Sequence, residues 1–258
     1  KFLASLDIKK DQAEVLHNLG VVYTYVSRYD EACEQIEKAI SLSPKNSVYL
    51  TDLGFAHTKL IQWEKAEEAY KKALELTPKR AEIWNYMGQL KYSQGKDEEA
   101  LSFYQKALSL EPDKEEYHTN LAISLVNLGR NEEAEKVYKE SMRANRDSSD
   151  SASALGLLLL KQGRFSEAHT LLRKALSISP DKSELMVNLG YTLVESGKLE
   201  EAEEMYKKAI EKEPEKAHYW NSLGLLLQKK RDFEYASVCF RKAVELAPFN
   251  GMYQSNLG

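Results

Sequence analysis

Between residues 81 and 114 the apolar positions follow two short helical periods, each closed by polar residues. In the first, Trp84, Met87 and Gly88 keep the i, i+3, i+4 spacing that marks one helix face, with Lys91 next in the row. In the second, Ala100, Tyr104 and Ala107 recur on one face before Pro112. Proline cannot continue a helix and biases the preceding Glu111 away from helical geometry, so the unit ends there and Asp113 and Lys114 complete a polar turn. A glycine inside a helix costs about 1 kcal/mol relative to alanine. Gly88 therefore implies that a neighbouring ring or backbone occupies the space its side chain lacks. The small Ala100 and Ala107 around the large Tyr104 allow two helices to approach closely. The pattern predicts a helix–turn–helix.

Moving this frame by 34 residues in either direction finds the same residue classes without insertion or deletion. Seven full units result: 13–46, 47–80, 81–114, 115–148, 149–182, 183–216 and 217–250. The unit at 115–148 departs most, with Ala122 for the glycine, Ser141 for the second alanine and Arg146 for the proline. In 1–12, Phe2, Ser5, Leu6 and Ile8 align with Tyr70, Ala73, Leu74 and Leu76, which predicts the second half of a severed second helix. Residues 251–258 supply the opening of a further unit. Arrays of this kind need polar capping units at their ends; the expectation is an excerpt of a longer array whose open ends let copies stack end to end. The joint 146–151 replaces the proline turn with small polar residues and is followed by Ala152 where other units carry tryptophan, so it is expected to be the softest place in the stack.

The spacing Trp84, Met87, Gly88, then Ala100, Tyr104, then Pro112 resembles the tetratricopeptide repeat family, and the resemblance covers almost the whole chain. It implies an all-α, right-handed superhelical α-solenoid of helix–turn–helix repeats. It also implies that the first helices line a concave groove that binds proteins or peptides.

Composition narrows the function. Lysine and arginine number 36 against 40 acidic residues, a net charge of −4, which does not attract a phosphate backbone. RNA-reading helical repeats use a different period and a basic surround, so no nucleic-acid partner is expected. The longest apolar run, 157–160, is far short of a membrane helix, and the start of the chain carries no signal-peptide pattern. No membrane partner and a cytoplasmic location are expected. Cys33 and Cys239 lie six repeats apart, too far for a disulfide.

Candidate chemistry is sparse. The acidic pairs Glu98-Glu99, Glu132-Glu133 and Glu200-Glu201 sit in the first turn of second helices, where carboxylates favour the helix dipole. His17, His57, His118, His169 and His218 occupy five different repeat positions, so no two have the i, i+4 spacing of a helical metal site. No glycine-rich phosphate loop is present. The reading is a non-catalytic chain without cofactor or metal.

The resemblance places the second, fifth, sixth, ninth, twelfth and thirteenth positions of each unit in the groove. The first half then offers a mixed polar and aromatic surface, including Val21, Tyr25, Asp52, Phe55 and Lys59. The second half is more apolar, and its expected partner-binding residues are Asn120, Ile123, Val126, Leu157, Leu160, Val187, Asn188, Tyr191, Val194, Asn221 and Leu225. An exposed apolar patch usually marks a binding site, and the expected ligand is an amphipathic helix or extended apolar segment. The carboxylate clamp of chaperone-binding members is absent, since His17, Val21, Asp52, Glu82 and Tyr86 stand in its place. Asn18, Asn120, Asn188 and Asn256 match half of the asparagine ladder of the O-linked N-acetylglucosamine transferase array, while Asp52, Tyr86, Ala154 and Ser222 do not. The chain is thus expected to be an interaction scaffold, with the recruiting arm of a longer enzyme as the alternative.

Overall fold

The computed structural model describes residues 2–257, with side chains described from Asp11 onward. Among the described residues there are fifteen helices and no strand: α1 (Phe2–Tyr25), α2 (Tyr29–Leu42), α3 (Ser47–Lys59), α4 (Trp63–Leu76), α5 (Ala81–Ser93), α6 (Asp97–Leu110), α7 (Glu115–Asn127), α8 (Asn131–Ala144), α9 (Ser149–Lys161), α10 (Phe165–Ile178), α11 (Ser183–Glu195), α12 (Leu199–Lys212), α13 (Ala217–Lys229), α14 (Phe233–Leu246) and α15 (Gly251–Leu257). From α3 to α14 each first helix has 13 residues and each second helix 14. The architecture is an α-solenoid of helical hairpins.

One boundary differs from the sequence expectation. Residues 2–12 are not a separate second helix, because α1 runs unbroken into the first helix that begins at Ala13. At six of the later junctions a proline, such as Pro44, Pro78 or Pro112, interrupts the helical pattern, whereas nothing between Ile8 and Ala13 removes a backbone donor or forbids helical φ. The side chains of Phe2, Ser5, Leu6 and Ile8 lie outside the described residues.

The chain divides within α8 into two compact units, one ending at Val137 and one beginning at Tyr138. In the first unit each helix from α1 to α7 packs on the next, and the first helices α1, α3, α5 and α7 also touch in succession. In the second unit the helices from α9 to α15 pack in the same way, with α9 against α11 and α11 against α13.

Inside the hairpins that carry a first-helix glycine the small-on-large expectation is met. A Cβ at Gly54 would lie 2.6 Å from the ring of Tyr70, and one at Gly224 2.6 Å from Phe240. In the second unit Tyr206, Phe240, Leu189, Leu193, Leu223 and Leu226 belong to one continuous core. The turn between paired helices needs a left-handed residue, which Gly95, Gly163 and Gly197 supply, but Ser27, Ile61 and Arg231 adopt the same conformation. Tryptophan at the fourth position ties two layers to the turn before them: Trp84 Nε1 donates to the Pro78 carbonyl at 2.9 Å and Trp220 Nε1 to that of Pro214 at 2.8 Å.

The joint without its proline is built from serines. Ser141 and Ser151 hydroxyls meet at 2.8 Å, the Ser148 side chain caps the backbone N–H of Ser151, and Ser179 donates to Ser149 at 3.0 Å. Ala152 is fully buried in a cluster with Ala175 and Leu185, against which Met142 packs. Hydrogen-bonded hydroxyls thus replace the bulky apolar contact found at other layers.

Candidate functional site

The first-helix face of the second unit is carried by α9, α11 and α13. Because these helices share a 34-residue phase, equivalent positions fall in rows across them. The ninth-position row is Leu157, Tyr191 and Leu225. Leu157 is half-buried, while Tyr191 and Leu225 are exposed to 40% and 39%. Leu160 and Val194, at the twelfth position, are half-buried, and Val194 leans on the core of this unit. The Tyr191 ring rests edge-on against Tyr206 at 5.9 Å, and its hydroxyl meets Ser222 Oγ at 2.7 Å. The ring is therefore held in place with its outer edge open.

Three expected groove residues behave differently. Val187 is only 1% exposed and belongs to the core, because the fifth position turns toward the adjoining layer. Asn221 is buried to 4% and accepts a 2.8 Å hydrogen bond from Asn256 Nδ2, and Asn188 is also buried. In the first unit Asn120 donates to Asn85 Oδ1 at 2.8 Å, and Asn85 donates to Glu116 at 3.0 Å. His17 and Asp52 form the same link at 2.6 Å. A fifth-position side chain bonded to the sixth position of the next layer thus recurs as a register clip, which sequence reading missed. The signal was a polar pair 35 residues apart. Asn120 and Asn256 use donors on Asn85 and Asn221 that a ligand-binding ladder would present outward.

Ile123 is exposed and Val126 half-buried on α7 of the first unit. That unit's first-helix face also holds a cleft of about 460 Å³ lined by Val21, Tyr25, Asp52, Phe55, Lys59 and Tyr86. Lys59 Nζ stands 5.1 Å over the Phe55 ring, and Phe55 meets Tyr86 edge-on at 5.8 Å. The sequence marked this half as mixed polar and aromatic without predicting a concavity, because the depth depends on how the rings tilt.

Reactive groups are muted. Burial pushes the thiols of Cys33 and Cys239 up to about 11, which keeps them protonated near neutral pH. Cys33 Sγ lies 3.6 Å from His57 Nδ1, but burial lowers the histidine, so the pair favours its neutral form. Among the described residues no group of three His, Cys, Asp or Glu side chains is arranged to hold a metal ion. Among them, no helix is long and apolar enough to cross a membrane.

Family models described as tetratricopeptide repeat match residues 11–79, 159–226 and 217–250, and one described as the cytochrome c-type biogenesis protein H TPR domain matches 70–185. No curated protein matches the chain significantly. Among solved structures, a tetratricopeptide repeat protein from Parabacteroides merdae is 20% identical with a TM-score of 0.71, over 96% of this chain and 98% of its own. MamA from Desulfovibrio magneticus is 25% identical with a TM-score of 0.57, over 65% of this chain and 94% of its own. YrrB, described as having an unusual peptide-binding site, is 24% identical with a TM-score of 0.55, over 72% of this chain and 96% of its own.

Proposed function

The chain belongs to the tetratricopeptide repeat family, and from that premise we propose that it is a non-catalytic interaction scaffold whose second unit takes an amphipathic helix or extended apolar segment on the face of α9, α11 and α13. The observation that carries this reading is the row Leu157, Tyr191 and Leu225, three apolar side chains at equivalent positions of helices that touch in sequence. Packed helix axes lie about 8–10 Å apart, so the row spans roughly 20 Å. At 1.5 Å per residue, a ligand helix crossing it meets successive anchors about every seven residues. Leu160 and Val194 widen the row into the stripe that such a helix needs.

Peptides selected from a displayed random library against the whole chain test this. The selected sequences are expected to carry apolar residues at about a heptad spacing. They are expected to lose binding to the L157E/Y191E variant while that protein keeps its helical circular dichroism. Equal affinity for the native chain and the doubly charged variant refutes the assignment.

A further inference from the structure

The outer surface of α14 breaks a rule that the other second helices keep. Tyr235 occupies a position filled in the six earlier repeats by Glu31, Lys65, Glu99, Glu133, Glu167 and Glu201. Val238, three residues on, stands where those repeats carry Glu34, Glu68, Ser102, Lys136, Thr170 and Glu204. Tyr235 and Val238 are exposed to 64% and 53%. Their exposure does not arise from a missing layer, since Glu201 and Glu204 remain exposed although α13 and α14 follow them. Two apolar side chains therefore sit where the repeat itself never buries anything.

They share a groove. Its floor is Trp220, Leu223 and Leu227 of α13, Ile210 of α12 forms one wall, Tyr235 and Val238 form the other, and its volume is about 390 Å³. The equivalent groove one layer earlier, floored by Leu189 and Leu193, has about 430 Å³ but is walled by Glu201 and Glu204. Shape is thus common to the layers, and the chemistry of one wall is not. At the rim Glu203 is paired by Lys207 and Lys230 at 2.6 Å each, which leaves Glu211 and Asp232 as the acids a ligand meets. Cavities of this size hold a large side chain when apolar walls and a few charges converge.

We propose that the groove between α12 and α14 is a second docking site, formed by second helices and independent of the first-helix face. Its occupant is a short segment of another protein that places a bulky apolar side chain beside an arginine or lysine. The apolar group fills the space between Ile210 and Tyr235, and the cation answers the acidic rim.

Two dipeptides, N-acetyl-Arg-Trp-amide and N-acetyl-Glu-Trp-amide, serve as probes of the whole chain with labelled Leu and Val methyl groups. The arginine probe is expected to shift the Leu223, Leu227 and Val238 resonances saturably, and the glutamate probe to bind about threefold more weakly, the scale of an exposed charge contact. Y235E/V238T, which restores residue types the other repeats use there, removes the shifts at Leu223 and Leu227. Y191E/L225E leaves them unchanged, which separates this site from the first-helix face. The reciprocal E201Y/E204V variant creates new shifts at Leu189 and Leu193. Shifts that persist in Y235E/V238T, equal binding of both probes, or no saturable shift overturns the proposal. So does a concentration-dependent dimer in sedimentation that Y235E/V238T dissolves, because the occupant is then a second copy.

Discussion

Replacing Gly54 by alanine tests the close approach that recurs at six helical glycines. A Cβ there would stand 2.6 and 2.7 Å from Cε1 and Cδ1 of Tyr70, about 1 Å inside ordinary contact. The ring cannot simply yield. Tyr70 is 1% exposed and stacked on Tyr86 at 5.9 Å, and its hydroxyl lies 3.4 Å from Thr58 Oγ1. Two effects oppose each other: alanine improves helix propensity by about 1 kcal/mol, while overpacking a filled core costs about 1–3 kcal/mol. The steric effect wins, and G54A is expected to destabilise by about 1 kcal/mol on balance. In a Y70A background the obstructing ring is gone, and the same substitution becomes neutral or favourable through helix propensity. The measurement is urea unfolding followed by helical circular dichroism, with amide exchange in α3 and α4 to localise the change. An equal effect of G54A in both backgrounds, or a gain in the native background, refutes the reasoning, because the glycine would then be tolerated and not required.

Two further outcomes follow from backbone and charge. Ile61 holds a φ of +61° at a 67% exposed site, where a β-branched residue is strained. I61G is expected to raise stability by about 0.5–1 kcal/mol, while G95A, at φ +72° with no atom near its new Cβ, lowers it by about 1 kcal/mol; a lower melting temperature for I61G or a higher one for G95A would contradict this. Lys71 and then Lys91 hydrogen-bond Glu67 and hold it below the usual carboxylate range, as Lys207 and Lys230 do for Glu203. A carboxylate lowered in the folded state contributes stability that is present above its unfolded value and lost as pH falls through the folded one. The urea midpoint is expected to drop from about pH 5 toward pH 3, and E67Q/E203Q to flatten that drop; an unchanged profile in the double variant disproves the linkage.

What the sequence determined by itself is the phase. The positions of Gly54, Gly88, Gly190 and Gly224 against Tyr70, Tyr104, Tyr206 and Phe240, and of the prolines between units, place helices and turns because local sterics decide them. Secondary structure here depends on neighbours a few residues away, and the hairpin core on partners 16 residues away, as Tyr70 is from Gly54. The tertiary structure decided what lies 31 to 35 residues apart. It sent Val187 into the core, bonded Asn120 to Asn85 and Asn256 to Asn221, and gave Tyr191 a partner in Ser222. A repeat position fixes which helix face a side chain is on, but the offset between successive layers fixes whether that face meets solvent or the next helix. The same offset opens the groove whose wall Tyr235 and Val238 change. The residues were readable in the sequence as departures from the repeat, but their convergence over Trp220 and Leu227 required the packed helices.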